Sequence, residues 1–195
     1  GHIHLIELSE GQSEDYDLFD KVENLTYFLK QELGIESEPV LVFKDYFLSQ
    51  DITIPGYDPI PGSIISCPFY EKENVLMYPM LAHEVAHTFI NENHEKIFDN
   101  FKDKFKEVKR EKEQNAERNP NITPQINDFH DKWDKWKEEF AADIVAAKVF
   151  GKGYYYTLVY YLMKGNPYRA TSDTHPPPVM RVEAVERTLE LEENE

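Results

Sequence analysis

The amino-acid sequence predicts an α+β fold in which α-helices predominate. Apolar residues recur at helical spacing through six stretches, whereas β-branched and aromatic runs are confined to residues 39–70. The chain has 195 residues, of which 41% are hydrophobic and 30% charged, a composition typical of a globular domain. We therefore expect a single domain over residues 1–195, with a small β-sheet near its N-terminus.

Glycine and proline mark the boundaries of the predicted elements. Gly34 and Gly151 each follow an apolar-periodic stretch and are expected to end a helix. Residues 51–62 are rich in proline and glycine and predict a loop. Pro68 has no backbone N–H and should lie at a strand end or a sheet edge. The predicted helices are 16–33, 75–91, 95–118, 126–150, 154–164 and 177–192, and the predicted strands are 39–48 and 63–70.

Charge and composition argue against several classes of function. Lys and Arg number 21 and Asp and Glu 37, so the formal net charge is -16, which disfavours a nucleic-acid partner. No apolar run is long enough to span a bilayer. The one cysteine, Cys67, cannot form an intrachain disulfide, and no basic and apolar leader is visible. We expect a cytoplasmic protein.

Residues 95–118 are highly charged and carry a thin apolar stripe. Its members are Ile97, Phe101, Phe105 and Val108. This pattern favours a helix with one packed seam and a solvated back.

Residues 83–87 read His-Glu-Val-Ala-His, an HExxH pattern inside a helical stretch. One turn of helix separates His83 from His87, so both imidazoles can reach one metal ion, and imidazole suits zinc. Glu84 lies beside these ligands and can act as a general base on a metal-activated water. The alternative is a pair of surface histidines with a solvated glutamate.

A zinc site needs a third protein ligand. His94 is disfavoured because it is one residue late for HExxHxxGxxH and has no glycine before it. Glu139 and Asp143 share an apolar helix face, where carboxylates need a metal, a hydrogen bond or a cation. Glu139 would be the third ligand, and Asp143 would hold the far nitrogen of a ligand histidine. Glu138 falls on the charged side. The alternative is that both carboxylates pair with Lys or Arg elsewhere.

A third motif covers residues 174–181, Thr-His-Pro-Pro-Pro-Val-Met-Arg. The prolines start the last helix and could present His175 to a cleft. The alternative is a capping or packed histidine.

Together, HExxH, Glu-x-x-Ala-Asp and Thr-His-Pro with an Arg six residues after the His resemble the gluzincin zinc peptidases. The similarity is to the CAAX prenyl protease and heat-shock-type membrane protease family, and in size to its soluble minigluzincins. It covers roughly residues 62–190 and implies a zincin-like metallopeptidase domain.

The resemblance implies a set of site residues. His83, His87 and Glu139 would bind one zinc ion per chain, Glu84 would be the general base, and Asp143 would support a ligand histidine, preferably His83. His175 would lie close to the metal, as an oxyanion donor or a fourth ligand.

The resemblance is incomplete in two respects. Family members usually carry transmembrane helices, and none is visible here. Residues 95–125 match no family motif and form a charged helical insertion, either a lid or a partner-binding arm.

The function implied is a zinc-dependent endopeptidase acting on peptide or protein substrates, with residues 63–69 pairing an extended substrate. In the role of oxyanion donor, Tyr154, Tyr155 and Tyr156 rival His175. The alternative function is a latent or non-catalytic peptidase-fold module that binds a protein partner. A deformylase-type site with Cys67 as ligand is disfavoured, because Ile-Ser-Cys-Pro lacks flanking glycine.

Overall fold

Six α-helices and three β-strands make up the described part of the chain. The computed structural model describes residues 16–44, 48–52, 60–68, 78–118, 123–162 and 173–193. The elements are α1 (Tyr16–Leu33), β1 (Val40–Lys44), β2 (Leu48–Ile52), β3 (Ile60–Pro68), α2 (Tyr78–Glu92), α3 (His94–Arg118), α4 (Thr123–Phe150), α5 (Lys152–Leu162) and α6 (Pro178–Glu193). The predicted α+β class with predominant helix is confirmed.

The helix boundaries lie at the glycine and proline residues that the sequence predicts. Gly34 and Gly151 have φ angles of 66° and 55°, in the left-handed region that glycine adopts without a Cβ clash. The Gly151 N–H donates to the Ala147 carbonyl at 2.7 Å and so satisfies one carbonyl of the last turn of α4. Pro178 begins α6, where its missing N–H costs nothing. Helix α4 starts at Thr123, a few residues earlier than predicted.

Strand β3 lies in the middle of the sheet, in the order β1-β3-β2. It pairs in parallel with β1 and antiparallel with β2. The prediction that residues 63–69 form a rim strand open to a substrate is therefore wrong over 64–66, where both sides are paired. Pro68 ends the strand, as predicted.

The single strand predicted over 39–48 is wrong, because β1 ends at Lys44 and β2 occupies Leu48–Ile52. The predicted loop over 51–62 contributes residues to β2 and β3. Asp51 of β2 pairs with Ser63 of β3, but the next residue, Ile52, pairs with Ile60. Pro61 and Gly62 of β3 are therefore left without a partner in β2 and form a bulge. A bulge tolerates both residue types within a sheet. Residues 45–47 and 53–59 lie outside the described residues.

Helix α2 is the centre of the molecule. Eight consecutive residues, Pro79–Ala86, are buried, as expected for a helix packed on every side. It contacts α1, α3, α4 and α5 as well as β2 and β3. The Ser63 and Thr88 hydroxyls share a hydrogen bond that ties β3 to α2. The Glu92 carboxylate accepts the Glu36 and Ser37 N–H groups and anchors the segment after α1.

The apolar stripe predicted for α3 is only partly buried. Phe98 is buried and Ile97 is half-buried, whereas Phe101 and Val108 are 61% and 49% exposed. The stripe is packed only near the N-terminus of α3, at Ile97. Farther along α3 these two apolar side chains face solvent, and the side chain of Phe105 lies outside the described ones.

None of the described helices is long and apolar enough to cross a membrane.

We expect Gly151→Ala to lower the free energy of unfolding by about 1 kcal/mol, because an L-residue is strained at a positive φ. Gly153→Ala is the matched control, since Gly153 lies inside α5 with open space around the added Cβ. That change should raise stability by about 0.4–1 kcal/mol. Urea unfolding measures both, and equal effects of the two substitutions would contradict the assigned helix end.

Candidate metal centre

Helix α2 presents two imidazoles from successive turns of one face. The Nε2 atoms of His83 and His87 lie 3.2 Å apart, and the rings meet edge to face. His83 is buried and His87 half-buried. The alternative of two surface histidines is therefore wrong for His83.

Helix α4 brings Glu139 to the same point. Its Oε2 lies 3.6 Å from His83 Nε2, and its Oε1 lies 3.5 Å from His87 Nε2. Zinc ligands at about 2.0–2.1 Å in a tetrahedron stand about 3.3 Å apart, close to these separations. Among the described residues, His83, His87 and Glu139 form a group that could hold a metal ion.

One carboxylate oxygen in this group lacks a hydrogen bond. Glu139 Oε2 is buried and accepts none from the described residues, although the Arg181 Nη1 atom lies 3.1 Å away. A buried oxygen of this kind is costly unless a cation satisfies it, and Arg181 supplies one. Two imidazoles and a carboxylate are a donor set that fits a metal.

Asp143 lies one turn beyond Glu139 on α4 and holds the other side of His83. Its Oδ1 lies 3.0 Å from His83 Nδ1 and accepts the Tyr154 hydroxyl proton. Arg181 donates twice to the same carboxylate, from Nε to Oδ2 and from Nη2 to Oδ1, each at 2.7 Å. Both sequence interpretations of Asp143 thus occur together: it supports a histidine and it pairs with an arginine.

The buried charges set the protonation of the three candidate ligands. Burial lowers the pKa of His83, but the Asp143 carboxylate at its Nδ1 and the adjacent Glu139 carboxylate outweigh it and raise the pKa to about 10. Burial and the charge on His83 lower the pKa of His87 to about 4. Burial opposes ionisation of Glu139, yet the adjacent charges of His83 and Arg181 hold its pKa at about 2. At neutral pH, His87 is therefore a neutral imidazole and Glu139 is ionised, whereas His83 is a cation. Among these three, only His83 must lose a proton before it can bind a metal ion.

Glu84 is buried directly after His83 on α2. Burial raises the pKa of its carboxyl to about 7, with the charge on His83 acting in the opposite direction. A carboxyl with a pKa near neutrality can both accept and return a proton at physiological pH.

Two further histidines, His175 and His94, lie outside the group of three candidate ligands. His175 is half-buried, with Nε2 3.6 Å from Glu139 Oε1 and Nδ1 2.8 Å from the Thr174 hydroxyl. It therefore lies at the edge of the group. His94 Nε2 instead lies 3.7 Å from Glu138 Oε1, on the neighbouring carboxylate. The group of candidate ligands includes neither histidine.

Sequence reasoning missed the roles of Tyr154 and Arg181. Arg181 was part of the Thr-His-Pro motif, but nothing local indicated its partner 38 residues away. Tyr154 is fully buried, with its hydroxyl 3.2 Å from the Nδ1 atom of His83. Glu139 approaches the opposite nitrogen, so Tyr154 is poorly placed to serve as an oxyanion donor. The side chain of Cys67 lies outside the described ones.

We expect Asp143→Ala to lower the free energy of unfolding by about 3–5 kcal/mol, because it leaves the buried Arg181 guanidinium without its principal partner. Glu183→Ala removes an acid from an exposed pair with Arg187 and should cost at most about 1 kcal/mol. Urea unfolding of the metal-free proteins compares the two. Similar losses would show that Arg181 is satisfied in another way.

Metal binding should release about one proton per ion near pH 7.5. His83, whose pKa of about 10 leaves it protonated, must lose its Nε2 proton, whereas His87 is already neutral. Between about pH 7, the pKa of Glu84, and the pKa of His83, affinity should therefore rise about tenfold per pH unit. Calorimetry in two buffers of different protonation enthalpy measures the release. Heats of binding that do not depend on the buffer would contradict this assignment.

No protein-family model, curated protein or solved structure matches this chain.

Proposed function

We propose that this protein is a zinc-dependent endopeptidase with a zincin-like fold, of the gluzincin type. The observation that carries the proposal is the meeting of His83 and His87 of α2 with Glu139 of α4 at ligand distances, beside the buried Glu84. Two imidazoles and one carboxylate are a ligand set of catalytic zinc sites, which keep a fourth position for water or substrate.

Zinc held by these residues would supply Lewis-acid chemistry, polarising a peptide carbonyl and lowering the pKa of a coordinated water. Glu84 would take the proton from the attacking water and pass it to the leaving amine. Its pKa of about 7 in the metal-free protein suits this exchange. A divalent cation nearby would favour the ionised form that a base requires.

The surrounding residues position the ligands. Asp143 holds His83 through Nδ1, which directs Nε2 toward Glu139. Tyr154 and Arg181 keep Asp143 in place. The ligand geometry would therefore be set before a metal binds, which favours a tight and well-ordered site.

His175 is proposed as a donor to the oxyanion that forms when water adds to the carbonyl. Its partly exposed ring lies at the edge of the group, with Nε2 directed to Glu139 Oε1. A fourth-ligand role would instead close the site. The hydrogen-bond distance between Nδ1 and the Thr174 hydroxyl supports an oriented ring in either role.

An extended substrate would pair with an edge strand other than β3. In the described sheet the edges are β1 and β2, and β2 packs against α2. Main-chain pairing at β2 would lay a peptide beside the helix that carries the histidines.

The second candidate function is a latent or non-catalytic module that binds a protein partner. The exposed Phe101 and Val108 on α3 favour it, since apolar side chains on a charged helix are a common feature of protein interfaces. This helix lies in the segment that matches no motif of the peptidase family.

The metal test is zinc content of the purified protein, expected at one ion per chain. Alanine at His83, His87 or Glu139 should each remove most of the zinc. Glu138→Ala is the matched control, because Glu138 is the adjacent carboxylate and lies near His94. Zinc lost equally from the control would contradict the ligand assignment.

The catalytic test is hydrolysis of a mixed peptide library by wild type and Glu84→Gln. We expect the variant to retain zinc and to lose at least about 100-fold in rate, the usual effect of removing a general base. A chelator should abolish wild-type hydrolysis. A zinc-loaded wild type that cleaves nothing would favour the non-catalytic module.

A further inference from the structure

Arg181 of α6 contacts both buried carboxylates of α4. Its Nε and Nη2 atoms donate to Asp143, each at 2.7 Å, and its Nη1 atom lies 3.1 Å from Glu139 Oε2. Asp143 is fully buried, and Arg181 and Glu139 are 4% and 8% exposed. A guanidinium is a rigid planar fork that stays charged, so the two bonds to Asp143 fix where Nη1 stands. Arg181 therefore places a permanent cation beside one particular oxygen of a candidate ligand.

The two oxygens of Glu139 have different neighbours. Oε2 is buried and lies 3.1 Å from Arg181 Nη1 and 3.6 Å from His83 Nε2. Oε1 lies 3.5 Å from His87 Nε2 and 3.6 Å from His175 Nε2. Both of these imidazoles are half-buried, so Oε1 lies toward the more accessible side of the group. A metal ion at Oε1 would not share its oxygen with the guanidinium.

The guanidinium opposes a metal ion at the other oxygen. A carboxylate can hold a metal through one oxygen or through both. Two cations at one oxygen repel each other, and the repulsion is strong in a buried site. Moving Arg181 away would instead break the bonds that satisfy the fully buried Asp143. Glu139 is therefore left to bind a metal through Oε1 alone.

The number of oxygens that Glu139 offers affects which metal the centre favours. Zinc is commonly tetrahedral, with imidazole and carboxylate ligands, whereas manganese favours octahedral sites that are rich in oxygen. Two imidazoles and one carboxylate oxygen leave a single tetrahedral position for water. A second oxygen from the same carboxylate would shift the ligand set toward higher coordination numbers.

We propose that Arg181 is a positioning residue that sets the metal selectivity of this centre. By occupying Oε2 it restricts Glu139 to one oxygen ligand and so favours zinc over manganese. The inference rests on the metal centre of the proposed function and not on peptidase activity. This effect on Glu139 is separate from the support that Arg181 gives to Asp143.

A crystal structure of the zinc-loaded wild-type protein tests the assignment directly. We expect zinc to be bound by Glu139 Oε1 alone, with Arg181 Nη1 still beside Oε2. Coordination through Oε2, or through both oxygens, would overturn the proposal.

A charge-balanced variant tests selectivity. Removing Arg181 alone would leave Asp143 without its buried counter-charge, so Arg181→Met is combined with Asp143→Asn. The control is Asp143→Asn alone, which keeps the guanidinium. We expect the ratio of zinc to manganese affinity, from competition titrations, to be at least about tenfold lower in the double variant than in its control. An equal ratio in the two variants, with folding verified by circular dichroism, would overturn the proposal.

Arg181→Lys is a second variant, which keeps the positive charge beside Asp143. A lysine ammonium lacks the fork that contacts two carboxylates at once, so Oε2 should become free. The ratio of zinc to manganese affinity should fall. Bound Co²⁺ should also lose visible absorption, because its d–d bands are intense in tetrahedral sites and weak in octahedral ones. Arg187→Lys is the matched control at an exposed position of the same helix and should keep the wild-type ratio. A wild-type ratio in Arg181→Lys would overturn the proposal.

Metal binding by the wild-type protein distinguishes failure of this inference from failure of the proposed function. A wild type that binds no divalent metal would overturn both. A wild type that binds zinc, together with Arg181 variants of unaltered selectivity, would overturn this inference alone. Peptide hydrolysis enters neither result.

Discussion

The fully buried carboxylate of Asp143 is the constraint on which the rest of the site depends. A buried charge is tolerated only when it is paired and hydrogen-bonded. Asp143 meets this requirement with Arg181 of α6, Tyr154 of α5 and His83 of α2, while lying on α4 itself. One side chain thus joins four helices, and their packing places the candidate ligands within reach of one another.

The same charges prepare the group for a cation. In the metal-free protein, the two carboxylates of Asp143 and Glu139 are balanced by Arg181 and by protonated His83. A divalent ion that displaced the His83 proton would leave one excess positive charge. That excess would lower the pKa of Glu84 from about 7 and convert it to a base. Metal binding and activation of the base would be coupled through electrostatics alone.

Helices α2 and α4 carry titratable side chains on one side and mainly apolar side chains on another. Toward α5 and α6 the two helices carry titratable groups in a buried network. Toward α3 they carry aromatic and aliphatic side chains and lysines around a groove. The candidate metal centre and the groove therefore use different residues of the same two helices.

What the sequence determined by itself is local. Helical periodicity, Gly34, Gly151 and the HExxH spacing depend on neighbouring residues, so the helix ends and the shared face of His83 and His87 could be read directly. The choice of Glu139 over Glu138 also follows from helix geometry. What the tertiary structure decided is non-local: the central position of β3, the exposure of Phe101 and Val108 on α3, and the contacts of Tyr154 and Arg181 with Asp143. Strand order and buried ion pairs join residues far apart in the chain, and their partners are selected by packing and desolvation rather than by spacing.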